Sequence, residues 1–136
     1  MWKERLEEIR QEEKRYGSHI NCGISEEEAG TFIKAVKDEL DIALTEEYLK
    51  ILRTINGIEY NGFILYGVDE PLLNEASNQH INGLIDRNKV WYENEWQKQF
   101  VFHGISPFHT DNIWKEMFRG ILFSFILKSH IRYDNI

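Results

Sequence analysis

Cysteine is almost missing from this chain: Cys22 stands alone among 136 residues. A lone thiol cannot close an internal disulfide, and small secreted domains usually lean on several, so a reducing, cytoplasmic compartment is the expectation. Long hydrophobic runs are missing too. The longest, residues 121–127, is interrupted by Ser124 and falls well short of the roughly 20 residues that cross a bilayer. The opening Met1-Trp2-Lys3-Glu4-Arg5 is charged and does not read as a secretory leader.

The familiar catalytic signatures are equally scarce. Gly57, Gly62 and Gly67 recur, but without the lysine of a phosphate-binding P-loop or the tight glycine spacing of a dinucleotide turn. There is no G-x-S-x-G elbow and no H-E-x-x-H helix. His19 and Cys22 form an H-x-x-C pair, yet one cysteine and the scattered His80, His103, His109 and His130 do not make the paired short spacings of a zinc site. Nothing in the sequence sets a base beside Cys22, so a buried, inert thiol is expected there rather than a nucleophile. No catalytic residue, cofactor or metal ligand is expected.

What the chain does have is apolar mass and negative charge. Hydrophobic residues make up 42% and aromatics 13%, too apolar for a disordered chain. At this length roughly two thirds of the unfolded surface can be buried, enough for one domain over residues 1–136. The net charge is -7, unevenly spread: residues 1–102 hold 12 Lys+Arg against 20 Asp+Glu, and residues 103–136 hold 4 against 3. Such a body repels phosphate backbones, which argues against direct nucleic-acid binding, and attracts basic proteins. Plain solubility accounts for part of that acidity.

Periodicity predicts a helix over residues 2–16, with Trp2, Leu6, Ile9 and Tyr16 inward and interleaved charges, including Glu7 and Arg10, in solvent. Ser25-Glu26-Glu27-Glu28 reads as a capping box opening a helix to about Leu40, burying Ala29, Phe32, Ile33, Val36 and Leu40. That employment leaves the three glutamates little call to catalyse. Thr45 caps a third helix whose apolar face is Tyr48, Leu49, Leu52 and Ile55, ended by Asn56-Gly57. Ile58-Glu59-Tyr60 and Phe63-Ile64-Leu65-Tyr66 flank Asn61-Gly62, the pair favoured in two-residue hairpin turns. An irregular acidic connector over 68–78, a helix over about 78–94 and a strand Phe100-Val101-Phe102, ending at His103-Gly104, should follow. Beyond Pro107, Asp111 or Asn112 could cap another helix, and residues 121–127 suit a buried strand or a buried helix; exposed, that run would be sticky, so both a monomer and a weak dimer joined through the tail stay open.

The helix, Asn-Gly and hairpin block spanning Leu44-Thr45-Glu46-Glu47-Tyr48-Leu49-Lys50-Ile51-Leu52, Arg53-Thr54-Ile55-Asn56-Gly57 and Tyr60-Asn61-Gly62-Phe63-Ile64-Leu65-Tyr66-Gly67 resembles the SUKH superfamily. That group holds fungal cell-wall-assembly regulators, the bacterial Syd proteins and many bacterial immunity proteins. Leu84-Ile85-Asp86-Arg87-Asn88-Lys89-Val90-Trp91 and Phe100-Val101-Phe102 resemble its YrhA-like bacterial branch. The resemblance spans about residues 2–104. Thr45 stands where members often carry proline, and residues 103–136 depart from the pattern; a changed reading frame or a divergent C-terminus would account for that tail and its change of charge.

The resemblance implies an α+β fold, a central, largely antiparallel sheet with helices packed around it. It implies an immunity protein that neutralises a cognate toxin, with nucleases among the toxin classes, by direct binding; the alternative is a non-enzymatic regulatory or scaffold adaptor. The acidic and aromatic residues nominated for partner contact are Glu59, Tyr60, Asp69, Glu70, Glu93, Glu95 and Trp96. Trp91 and Tyr92 belong to the same aromatic cluster, with core and interface both open to it.

Overall fold

The computed structural model describes residues 2–17, 21–60, 63–75, 80–105 and 125–127. Helix α1 (Trp2–Arg15) ends at Gly17, whose φ of 84° few other residues tolerate. Leu6 and Ile9 are buried as expected, but Tyr16 is 78% exposed. It lies past the last helical turn, where the periodicity that aimed it inward no longer holds.

Helix α2 (Glu26–Leu40) opens on the expected capping box. The Ser25 hydroxyl accepts from the Glu28 N–H at 3.1 Å, and Glu28 accepts from the Ser25 N–H at 2.9 Å. Those bonds hold the Glu28 carboxyl below its ordinary pKa. Ala29, Phe32, Val36 and Leu40 are buried, whereas Ile33 is 40% exposed at the edge of the stripe. Helix α3 (Glu46–Thr54) is capped by Thr45 and buries Tyr48, Leu49, Ile51 and Leu52. Arg53 ties the two helix starts together, donating to Glu26 at 2.8 Å and to Glu46 at 2.6 Å. Arg10 of α1 donates to the Thr54 carbonyl at the end of α3.

After Gly57 (φ 78°) the chain enters strands β1 (Ile58–Tyr60) and β2 (Phe63–Leu65). They pair antiparallel, with Tyr60 opposite Phe63, as a two-residue hairpin requires. The acidic connector contains a 3-10 turn, Glu70–Leu72. The helix expected over 78–94 is shorter: α4 is Leu84–Trp91. Asn82 and Gly83 are extended instead, bridged to Gly67, with Gly67 N–H donating to the Asn82 carbonyl and Leu84 N–H to the Gly67 carbonyl. A second 3-10 turn, Glu95–Gln99, leads into β3 (Phe100–Phe102).

His103-Gly104 does not end the sheet. Gly104 begins β4 (Gly104–Ile105), which lies on β2 in a three-stranded antiparallel sheet ordered β1-β2-β4. Strand β5 (Phe125–Leu127) pairs antiparallel with β3 in a second sheet. It is the described part of the apolar run, and it is a strand. The Asn61-Gly62 turn, His19, Pro107, His109, the Asp111/Asn112 cap, Ser124 and His130 lie outside the described residues.

The fold is α+β, with α1, α2 and α3 packed into one hydrophobic core with Ile58, Leu65, Val101 and Phe102 of the strands. Among the described residues no helix is long and apolar enough to cross a membrane.

Candidate partner-binding surface

Helix α4 separates two groups of the nominated residues, Asp69 and Glu70 near its start and Glu93, Glu95 and Trp96 just past its end. Its N-terminus lacks a local cap because Gly83 has no side chain. Asp69, far back in sequence, supplies one: its carboxylate accepts from the N–H of Ile85 and of Asp86, each at 3.0 Å. Gly83 is required there, since a Cβ would collide with that carboxylate. The buried face of α4 presents Asn88, whose amide donates to the Leu84 and Phe102 carbonyls and accepts from the Phe102 N–H. Asn88 thus holds one edge of β3 while β5 pairs with the strand.

The other end of α4 lies about 12 Å away, eight residues at roughly 1.5 Å each. There, Phe100 and Phe102 project from the same side of β3, two residues apart. Trp91 stacks on Phe102 with ring centroids 4.7 Å apart and planes at 21°. Trp96 meets Phe100 edge-on at 5.1 Å, and Phe100 lies 6.0 Å from Phe102. The result is a row of four rings: Trp96, Phe100, Phe102 and Trp91. Its two ends reach solvent, Trp96 at 64% and Trp91 at 36% exposure.

The row is fixed by polar contacts. Trp91 donates its indole N–H to the Tyr66 hydroxyl at 3.1 Å. Tyr92 donates its hydroxyl to the Phe100 carbonyl at 2.6 Å, and burial pushes its pKa up to about 12. Asn94 accepts from the Trp96 N–H and so sets the turn that carries Trp96. Of the tryptophans, then, Trp91 is half core and half surface, and Trp96 is surface.

The nominated acidic residues separate into three places. Glu93 and Glu95 occupy the turn between the two tryptophans, both exposed, with Lys98 paired to Glu95 at 2.9 Å. Glu59 is exposed on β1, beside Tyr60. Asp69 and Glu70 line a cleft of about 460 Å³ between α2 and α4. No described contact joins the three. The cleft's charges are engaged internally: Glu39 pairs with Lys89 at 2.5 Å, Asp86 with Arg87 at 3.7 Å, and Glu70 accepts from the Ile81 N–H at 3.2 Å. Asp69 and Glu70 therefore have structural duties, while Glu93, Glu95 and Trp96 share one surface.

Cys22 is exposed, correcting the expectation of a buried thiol. Among the described residues no group of three or more His, Cys, Asp and Glu could hold a metal ion. His103 is fully buried between β3 and β4, edge-on to Tyr48 at 4.7 Å, and neither ring nitrogen has a partner among the described residues. Burial lowers its pKa to about 3, so the ring is neutral. Sequence reasoning passed over Phe100, Phe102 and the ordering role of Asn88. The Phe-Val-Phe alternation was the available signal for the first two; Asn88 had none, because its partners are distant in sequence.

No family model matches the chain, and no curated protein or solved structure shows significant similarity to it.

Proposed function

We propose that this chain works by binding a basic protein, and that the partner is a toxin, a nuclease fitting best, neutralised in the manner of the SUKH immunity proteins. The observation that carries the binding reading is Trp96, held in solvent on a row of rings with Glu93 and Glu95 beside it. Large, rigid aromatics dominate interface hot spots because they bury much area at little entropic cost. The net charge of -7 supports the sign of the partner. A nuclease gathers phosphates with positive potential, and an acidic surface competes for that same field. The toxin part of the reading rests on the SUKH resemblance of residues 2–104. Inhibition is steric and electrostatic and changes no covalent bond. The encounter is set in the cytoplasm, where an exposed lone thiol such as Cys22 stays reduced.

The test is recovery of the tagged full chain from its native host, with the bound proteins identified by mass spectrometry across a salt titration. A basic protein held at low salt and shed as salt rises is the expected result, with toxicity relieved when the two are co-expressed. A partner retained equally at every ionic strength overturns the electrostatic reading. Purified chain that turned over a small molecule, or bound RNA or DNA unaided, would overturn the binding-protein reading itself.

A further inference from the structure

We infer that the ring row and its acidic turn form a seat for an arginine-bearing segment of the partner protein, an inference that rests on the binding reading above. Trp96 is the central group. Among the described residues Phe100 is the one aromatic ring it meets, it is 64% exposed, and its indole N–H has no hydrogen-bond partner. An exposed indole face attracts a guanidinium through its quadrupole and lets the planar group stack, which a compact, strongly hydrated ammonium does less well. The Glu93 carboxylate has no described ion pair or hydrogen bond, so it is available to a guanidinium fork. Glu95 is 86% exposed, and its contact with Lys98 is a surface pair that water screens heavily.

Preorganisation strengthens the case. Trp91 is pinned by Phe102 on one face and by Tyr66 at its N–H, and the Trp96 turn by Asn94. A segment docking here therefore finds its rings already ordered. Charge decides the occupant. Aromatic rows also stack unpaired nucleobases, but Glu93 and Glu95, exposed in the turn beside Trp96 on a body already at -7, would repel a phosphate backbone.

Titration of the full chain with a tetra-arginine peptide, a tetra-lysine peptide and an oligothymidine, followed by NMR of the indole N–H signals, tests this. The arginine peptide should shift the Trp96 signal and bind about threefold tighter than the lysine peptide. W96L should weaken arginine-peptide binding about threefold and abolish its preference over lysine. E93Q, which leaves the ring in place, should weaken both peptides. Equal affinity for the two peptides, W96L binding as wild type, or a Trp96 shift produced by oligothymidine overturns the proposal. Failure of this seat is distinguishable from failure of the binding reading: a host partner captured equally by wild type and W96L sinks only the seat, whereas capture of no basic partner by either sinks both.

Discussion

His103 is an imidazole with no hydrogen-bonding partner among the described residues, sealed where β3 passes into β4. Because burial depresses its folded pKa to about 3, against 6.5 in the unfolded chain, the unfolded state binds more protons across that window. Stability is therefore complete above pH 6.5 and declines as pH falls through the window. Urea denaturation at pH 7 and pH 5 should differ by about 2 kcal/mol from this one group. H103L should flatten the slope between those pH values; an unchanged slope would show that His103 is not its source. Asn88 illustrates the opposite case, a buried polar group with every part employed. N88L would strand the Phe102 N–H and carbonyl without water, at a cost of about 3 kcal/mol in denaturant titration. A loss under about 1 kcal/mol would mean that the β3 edge finds other partners.

Helix α4 depends on a residue from another element. Its apolar positions and Asn82-Gly83 were visible in the sequence, and they suggested a longer helix crossing a glycine. What the sequence could not display was Asp69 arriving from the connector to cap Ile85 and Asp86, which places the helix start after Gly83. D69A should cost about 1 kcal/mol in thermal or chemical unfolding while leaving partner affinity intact. A D69A chain of full stability but impaired binding would return Asp69 to the interface. By contrast, α2 and α3 were legible from local chemistry, because Ser25 with Glu28 and Thr45 with the Tyr48 N–H act within one turn. The hairpin register was legible for the same reason: two residues between strands permit one pairing. Strand β4 was not, since two residues carry no periodicity and exist as a strand only by lying on β2.

The whole molecule is an acidic body with a preorganised aromatic edge, and long-range charge acts at this scale. Association with a basic partner should slow about tenfold between low and physiological salt, measured by stopped-flow, while dissociation changes less. Equal slowing of neither rate, with affinity constant across salt, would put the binding energy in apolar contact alone.

The sequence by itself determined the α+β class, the first three helices, the hairpin and the sign of the charge, because caps, turns and periodicity operate over a few residues. Only the tertiary structure decided which acidic residues are available. Asp69 and Glu70 are engaged by backbone N–H groups, while Glu93 and Glu95 flank a ring row assembled from α4, β3 and the turn between them. Burial and hydrogen bonding between distant segments make that division, and no spacing within one segment encodes it.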